Sequence, residues 1–275
     1  MQEKAEKLRE DVAKAYTTAI ESVREGKGGC CGAAEPAGFV AKLAGYGKEI
    51  ETHGDAGRSS FGCGNPLAFA GVRSGETVLD LGSGAGLDLL IAAGKVGTKG
   101  RVIGIDMTDA MIEAARANVA RAGLHNVEIR KGLIEDLPVE DASVDWVISN
   151  CVINLSPEKP RVFREIHRVL KPGGRFSVSD IVVDDLPGWI REHVQAYVAC
   201  VAGAISEEEY TNGLESAGLV DIEVSDRVVY DADQICGLVA SDLESSGADR
   251  QMPGSVFSDL EGKVQSVRVS GRRPG

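Results

Sequence analysis

The chain has 275 residues, which suffices for one large α/β domain with a full core and does not favour two equal domains. Its 30 basic and 42 acidic residues give a net charge of -12, so the surface repels nucleic-acid backbones and anionic lipid headgroups. The first residues lack the apolar core of a signal peptide, and no apolar run is long enough to cross a bilayer. We therefore expect a cytoplasmic protein that binds neither nucleic acid nor membrane.

The amino-terminal part contains a helix and a long loop. Residues 2–25 carry charged side chains with apolar residues at helical spacing, which predicts one amphipathic helix. A glycine-rich cluster at 26–29 ends this helix, and glycine stays frequent as far as about residue 70. Loops of this length often act as lids or binding segments, and this one contains three of the six cysteines.

Strands and helices alternate from residue 76 onward. The predicted strands are Thr77–Leu81, Arg101–Ile105, Val127–Ile129, Val144–Ile148 and Arg175–Ser179. The predicted helices are Leu87–Val96, one from an N-cap at Thr108 to Ala122, and one from Pro157 to Leu170. The segment Lys171-Pro172-Gly173-Gly174 predicts a turn into the fifth strand.

The carboxyl-terminal part is less regular. Residues 187–218 look helical, Val220–Val224 and Val264–Val269 are candidate edge strands, and residues 231–258 have no assignable pattern. Strands alternating with helices specify a mainly parallel sheet covered on both faces, so we predict an α/β, Rossmann-like fold. We divide the chain into a helix and cysteine-bearing loop region (1–72), a cofactor-binding Rossmann-like domain (73–185) and a carboxyl-terminal extension on the substrate side (186–275).

A glycine-rich turn, Gly82-x-Gly84-x-Gly86, follows the first predicted strand. Such a turn lets backbone N–H groups approach a ligand, and the next helix points its positive end at the same place. The dinucleotide fingerprint would need glycine where Leu87 stands, which disfavours a nicotinamide-dependent oxidoreductase. Three carboxylates complete the pattern: Asp80 can accept from an ammonium group, Asp106 from a ribose diol and Glu135 from an adenine amino group.

These residues resemble the class I S-adenosylmethionine-dependent methyltransferases. The resemblance covers residues 73–182 and rests on Val78-Leu79-Asp80-Leu81-Gly82-Ser83-Gly84-Ala85-Gly86, Gly104-Ile105-Asp106-Met107 and Leu170-Lys171-Pro172-Gly173-Gly174. It implies S-adenosylmethionine as the cofactor. The residues implied to bind it are Asp80, Gly82, Ser83, Gly84, Asp106, Met107, Ile134, Glu135 and Asn150.

The six cysteines are too few for a disulfide scaffold and show no C-x-x-C spacing, so any site they share is assembled by folding. Cys151 follows the fourth predicted strand, where a bound substrate would face the cofactor. Glycines flank Cys63 and favour its exposure, whereas Cys200 fits the core of a helix. Cys236 fits a small buried hydrophobe.

The cysteine contexts are similar to those of arsenite methyltransferases. The matching segments are Phe61-Gly62-Cys63-Gly64-Asn65-Pro66, Ser149-Asn150-Cys151-Val152-Ile153-Asn154-Leu155 and Cys200-Val201-Ala202-Gly203-Ala204, with the adjacent pair Cys30-Cys31 as amino-terminal thiols. The resemblance implies that Cys63, Cys151 and Cys200 supply thiolates to trivalent arsenic as the substrate. It also implies that Cys30 or Cys31 takes part in binding or in disulfide exchange.

This chemistry is coherent by itself. A soft trivalent centre prefers thiolates, and three of them leave a pyramidal arsenic whose lone pair is the nucleophile. No general base is then needed, and the sequence offers none near Cys151, since Asn154 cannot serve. What is left is alignment of arsenic, methyl carbon and sulfonium sulfur, and positioning of this kind contributes up to about 7–11 kcal/mol.

Methyl transfer formally oxidises the arsenic, so the resemblance also implies a source of electrons. Either a pentavalent product leaves, or a disulfide forms among the site cysteines and a reductant such as glutathione or a thioredoxin-type protein reopens it. Three alternatives to this function stay open. They are a methyltransferase of a small organic metabolite such as a quinone or sterol precursor, a thiol-based metalloid-binding protein without turnover, and an oxidoreductase.

Overall fold

A seven-stranded sheet forms the centre of the computed structural model, which describes residues 2–24, 56, 71–186, 200–231, 234–235 and 260–275. Its strands are β1 (Thr77–Leu81), β2 (Arg101–Asp106), β3 (Val127–Lys131), β4 (Val144–Asn150), β5 (Leu170–Val183), β6 (Val220–Val229) and β7 (Val264–Arg272). Their order is β3-β2-β1-β4-β5-β7-β6, with β1 to β5 parallel and β7 antiparallel to both neighbours. The predicted α/β class with a mainly parallel sheet is therefore confirmed.

Helices cover both faces of the sheet. They are α1 (Gln2–Arg24), α2 (Leu87–Val96), α3 (Asp109–Arg121), α4 (Lys159–Val169) and α5 (Glu207–Ser216), with one 3₁₀ turn at Ile153–Leu155. Side chains alternate across each strand, so neighbouring residues of β1 enter different cores. Leu79 packs in the core with α4 and α5, while Val78 packs with α2 and α3.

Most strands extend past their predicted ends, and three segments differ more strongly from the sequence predictions. The helix expected from Pro157 begins at Lys159, after the 3₁₀ turn. The predicted turn at residues 171–174 is wrong: it belongs to β5, where positive φ at Gly173 and a register shift against β4 absorb the irregularity. Residues 200–206 are not helical either, because α5 begins only after its capping box at Ser206.

The carboxyl-terminal strands were also only partly predicted. β6 is an edge strand, as expected, but β7 is not, because it lies between β5 and β6. Residues from the predicted substrate-side region thus complete the same sheet that carries the cofactor turn. Among the described helices, none is both long and apolar enough to span a bilayer.

The helix predicted at the amino terminus is present as α1, and it packs near the glycine turn. Ile20 on α1 is buried with Ala85 of the turn and with Met111 and Ala114 of α3. Of the expected loop between residues 26 and 70, only Ala56 belongs to the described residues. Cys30, Cys31, Cys63 and Cys236 all lie outside them, so the predictions for these four thiols stay predictions.

Candidate active site

A pocket opens at the carboxyl ends of β1, β2 and β4, where the strand order reverses direction. In parallel α/β sheets this crevice is the usual place for a ligand. All nine residues predicted to bind the cofactor line this one pocket: Asp80, Gly82, Ser83, Gly84, Asp106, Met107, Ile134, Glu135 and Asn150. Folding therefore brings together residues as distant in the chain as Asp80 and Asn150.

The glycine turn has two positions where a side chain would change the pocket. Gly82 has a φ of +66°, and a Cβ built there would lie 2.5 Å from Cγ1 of Val152. Gly84 has a φ of +52° and faces open space, so its backbone is accessible to a ligand. The turn after β1 thus packs closely against Val152 at Gly82, and at Gly84 it exposes its backbone to the pocket.

Asp80 is the strongest sign of a cationic ligand. It is buried, and its Oδ2 has no hydrogen-bond partner among the described residues, nor does Oγ of the neighbouring Ser83. Burial raises the pKa of Asp80, and the negative charges of Asp88 and Asp106 raise it further. An orphaned buried carboxylate beside other carboxylates fits the ammonium and sulfonium charges of S-adenosylmethionine.

Asp106 at the end of β2 is fixed by backbone groups. Its Oδ2 accepts from the N–H of Gly84 at 2.9 Å, and its Oδ1 accepts from the N–H of Thr108 at 2.8 Å. Burial raises the pKa of Asp106, and these hydrogen bonds act in the opposite direction. The Thr108 side chain and the Met107 backbone also donate to this carboxylate. A carboxylate at the end of this strand suits a diol such as that of ribose. Thr108 is the N-cap of α3, as predicted, but its side chain makes no capping hydrogen bond.

Glu135 lies after β3 and is nearly buried. Its Oε1 accepts from Oγ of Ser156 at 2.7 Å and from Nη2 of Arg9 at 3.0 Å. The sequence analysis missed Arg9, and no local signal could have found it, because it lies 126 positions from Glu135. It also missed Asp88, whose Oδ2 lies 3.5 Å from Nδ2 of Asn150. Asp88 could have been found as a carboxylate in the first turn of the helix after the glycine turn.

Cys151 lies directly after β4 and lines the pocket. Its backbone is left-handed, with a φ of +57°, and its N–H donates to the carbonyl of Ser179 at 2.8 Å. Only 3% of the residue is exposed. Its sulfur is assigned to a disulfide.

Cys200 lies against the same turn, as a thiol. Its Sγ donates to the carbonyl oxygen of Cys151 at 2.7 Å, and its own φ is +62°. A non-glycine residue in this conformation costs on the order of 1 kcal/mol or more, and such strain is concentrated at functional sites. Cys151 and Cys200, which are in contact, are two of the six non-glycine residues with positive φ in the described part of the chain.

Tyr230, at the end of β6, completes the wall behind Cys200. It is buried in one apolar cluster with Cys151 and Cys200. Burial raises the pKa of its hydroxyl, a hydrogen bond with Ser266 lowers it, and ionisation of the neighbouring Cys200 would raise it. The carboxyl-terminal strands thus supply a side of the thiol site.

Asp180 anchors the turn that follows Cys151. Its carboxylate accepts from Nδ2 and N–H of Asn154 at 2.8 and 3.2 Å, from the N–H of Ile181 at 3.0 Å and from the hydroxyl of Tyr210 at 3.4 Å. Nζ of Lys159 donates to the carbonyls of Asn154 and Ser156. Asn154 has a structural role at this buried network and is not a base.

Within the part of the chain that the structure describes, no three His, Cys, Asp or Glu side chains are grouped so that they could hold a metal ion. The structure brings Cys151 and Cys200 together, and it does not cover the third predicted arsenic ligand, Cys63. It also does not cover Cys30 or Cys31.

This sheet, with its antiparallel seventh strand and a glycine turn between carboxylates, defines a class I S-adenosylmethionine-dependent methyltransferase. A methyltransferase-domain family matches residues 72–218. The chain is 34% identical to the crystallised arsenic(III) S-adenosylmethionine methyltransferase of Chlamydomonas reinhardtii, with a TM-score of 0.62 over 88% of this chain and 75% of that one. The chain therefore belongs to the arsenite methyltransferase family.

Two relatives agree with this assignment. The arsenite methyltransferase of Halobacterium salinarum is 44% identical over 230 residues, which are 80% of this chain and 59% of that protein. The arsenite methyltransferase of Aquipseudomonas alcaligenes is 34% identical over 223 residues, or 78% of this chain and 62% of that protein. The chain thus spans about three fifths of the length of these relatives.

Proposed function

We propose that this protein transfers methyl groups from S-adenosylmethionine to trivalent arsenic held by cysteine thiolates, as a step of arsenic detoxification. The observation that carries the proposal is the position of Cys151. It lines the cofactor pocket at the carboxyl end of β4, and the thiol of Cys200 contacts its carbonyl oxygen. The names of the relatives described above support arsenite, or methylated trivalent arsenic, as the substrate.

The chain's own carboxylates prepare the cofactor end of the pocket. Asp80 and Asp88 line the pocket next to the glycine turn, and in this proposal Asp106 binds the ribose and Glu135 binds the adenine amino group. When bound, S-adenosylmethionine supplies an electrophilic methyl group on a sulfonium. Residues of the pocket then have to hold the acceptor in line with that group, which is mainly a positioning task.

Cys63, Cys151 and Cys200 are the proposed arsenic ligands, and Cys30 or Cys31 takes part in substrate binding or in disulfide exchange. Thiolates suit a soft centre and leave the arsenic lone pair as the nucleophile, so no side chain has to remove a proton. Residues 186–275 form the substrate side in this proposal, because they contribute Cys200 and Tyr230.

Turnover requires a thiol reductant, glutathione or a thioredoxin-type protein. When the lone pair forms the arsenic–carbon bond, the carbon–sulfonium bond breaks and arsenic is formally oxidised by two electrons. Two site thiolates can return these electrons by forming a disulfide, and two thiols of the reductant then reopen it by exchange. A reducing compartment suits such a cycle, so we propose the cytoplasm as the location.

The test uses the full chain with arsenite, S-adenosylmethionine and glutathione, followed by chromatography of arsenic species with elemental detection. We expect methylated arsenic from the wild type, none from Cys151→Ser or Cys200→Ser, and wild-type yield from Cys236→Ser as the matched thiol control. Omission of glutathione should limit the product to about one turnover for each protein molecule.

Other outcomes favour the rival functions. Tight arsenite binding without methylated product would indicate a metalloid-binding protein. Cofactor binding without arsenite binding, and activity that survives Cys151→Ser, would indicate an organic acceptor such as a quinone or sterol precursor. Preference for a nicotinamide dinucleotide over S-adenosylmethionine would indicate an oxidoreductase.

A further inference from the structure

The amino-terminal helix forms one wall of the cofactor pocket. Three residues of α1 line the pocket, namely Arg9, Val12 and Tyr16. Their spacing of three and four positions places them on one face of the helix. The opposite face is exposed at Glu10 and Lys14. A ligand in this pocket would therefore be covered by α1 on one side.

Two fully buried residues and the partly buried Tyr16 pack α1 against the clusters beside the pocket. Only Val12 and Ile20 of its described side chains are fully buried. Val12 joins the cluster around Cys151 and Cys200, and Ile20 joins the small cluster beside the glycine turn. A helix with few buried contacts opens at a lower free-energy cost than the core elements do.

Arg9 supplies a polar attachment near the start of the helix. Its Nε and Nη2 donate to Oε1 of Glu135 at 3.2 and 3.0 Å, and Nη2 also donates to Oε2 of Glu158 at 2.6 Å. Glu135 lies on the loop after β3, and Glu158 precedes α4, so one guanidinium joins three separate parts of the chain. The hydrogen bond from Arg9 is the main reason why the pKa of Glu158 lies below its usual range.

Arg9 is attached to Glu135, the residue proposed to bind the adenine amino group. Within the described structure, every hydrogen bond of Glu135 uses Oε1, from Arg9 and from Ser156, so Oε2 keeps its lone pairs for another donor. Glu135 has only 5% of its surface exposed. A buried carboxylate of this kind is costly without a cation, and Arg9 provides that cation.

We infer that α1 is a lid over the cofactor pocket, that Arg9 latches the lid through Glu135 and Glu158, and that cofactor exchange requires the latch to open. Arg9 acts as a positioning residue, because it orients Glu135 and does not reach the reacting atoms. The inference rests on the cofactor site of the methyltransferase class. It is independent of arsenic, so its failure would leave the proposed substrate untouched.

The first test measures how fast the cofactor leaves. Radiolabelled S-adenosylmethionine is bound to the full chain, chased with excess S-adenosylhomocysteine, and collected on filters. We expect Arg9→Met to release the label about tenfold faster, since charge-assisted bonds to a largely buried partner are lost. Glu158→Gln removes the ion pair between Arg9 and Glu158 but keeps the one with Glu135, so it should give a smaller increase in the rate of cofactor release.

Arg161→Met is the matched control. Nη1 of Arg161 also contacts Glu158, at 3.4 Å, but Arg161 lies on α4, and none of the hydrogen bonds described for it reaches α1. We expect its release rate to equal that of the wild type. If Arg9→Met does not fold, the comparison of Glu158→Gln with Arg161→Met decides the question, because both variants leave Glu135 paired with Arg9.

A second readout follows the helix itself. Lys14 on α1 is exposed but helical, so trypsin cuts after it only when α1 unfolds locally, and we expect the opened latch to favour that unfolding. S-adenosylhomocysteine should slow this cleavage in the wild type and in Arg161→Met, and should protect Arg9→Met much less. Equal release rates and equal protection in all variants would overturn the inference, since α1 would then be a fixed wall.

Discussion

Asp180→Asn tests whether the buried anchor of the Cys151 turn carries a proton near neutral pH. Burial raises the pKa of Asp180 to about 7 from an ordinary value of 3.8. Hydrogen bonds from Ile181, Asn154 and Tyr210 and the positive charge of Lys159 act against this rise. The substitution keeps the size of the side chain and removes its ability to ionise.

The direction of the pH effect follows from the raised pKa. Between about pH 4 and pH 7 the unfolded chain loses the Asp180 proton while the folded chain keeps it, so the folded state binds more protons. The contribution of this group to stability is therefore fully present below about pH 4 and is lost as the pH rises towards 7. A shift from 3.8 to about 7 corresponds to a change of up to about 4 kcal/mol.

The assay is urea denaturation of the wild type and Asp180→Asn at about pH 4, 5.5 and 7.5, followed by circular dichroism. The quantity compared is the free energy of unfolding of the wild type minus that of the variant, in which the other buried carboxylates cancel. This difference should fall steadily as the pH rises, because only the wild type contains Asp180. Asp184→Asn, at an exposed position just past β5, controls for the change in net charge. A difference that stays constant with pH, or rises with it, would refute the reasoning and show that Lys159 and the hydrogen bonds keep Asp180 ionised.

Three further predictions concern the pocket and the thiol turn. Asp80→Asn should weaken S-adenosylmethionine binding by about tenfold or more in calorimetry, since the buried acceptor for its positive charge is lost, while the sheet signal in circular dichroism is retained. Gly82→Ala should destabilise the protein by about 1–3 kcal/mol in urea, because its Cβ would meet Val152, and adding Val152→Ala should recover part of that loss; an additive double variant would contradict this contact. Under reducing conditions the free energy of unfolding of Cys200→Gly should exceed that of Cys200→Ala by about 1 kcal/mol, with a higher urea midpoint. The reason is that only glycine adopts the positive φ without strain. Equal midpoints for these two variants would argue against strain at this residue.

The sequence was most informative where the structure is local and regular. β1 and α2 have the predicted bounds, and the strand-end carboxylates lie where the alternation of strands and helices places them. Short-range apolar patterns specify such elements, and parallel topology then brings the strand ends to one edge. The nine predicted cofactor residues are gathered for this reason.

Other features depend on contacts between distant parts of the chain. The Lys171-Pro172-Gly173-Gly174 segment has turn chemistry, yet the backbone N–H of Gly173 pairs with the carbonyls of Arg273 and Pro274, which keep it in line with β5. The role of Arg9 depends on partners more than a hundred positions away. Cys200 has a helical sequence context, but its left-handed backbone is fixed by the turn around Cys151. No local pattern encodes these three outcomes.

The position of β7 has a consequence for how the protein is made. β7 follows β6 in synthesis but lies between β5 and β6, so both strands lack their partner until residues 264–272 have left the ribosome. Asp180 on β5 pairs in register with Val267 of β7, so the anchor of the Cys151 turn is enclosed only at that stage. From the completion of β5 at residue 183 to that of β7 at residue 272, the nascent chain therefore carries an open, apolar strand edge, which is a hazard for aggregation. The thiol site is among the last parts of the molecule to form, and a chain interrupted before β7 would leave the ribosome with the cofactor turn already made and no enclosed place for its acceptor.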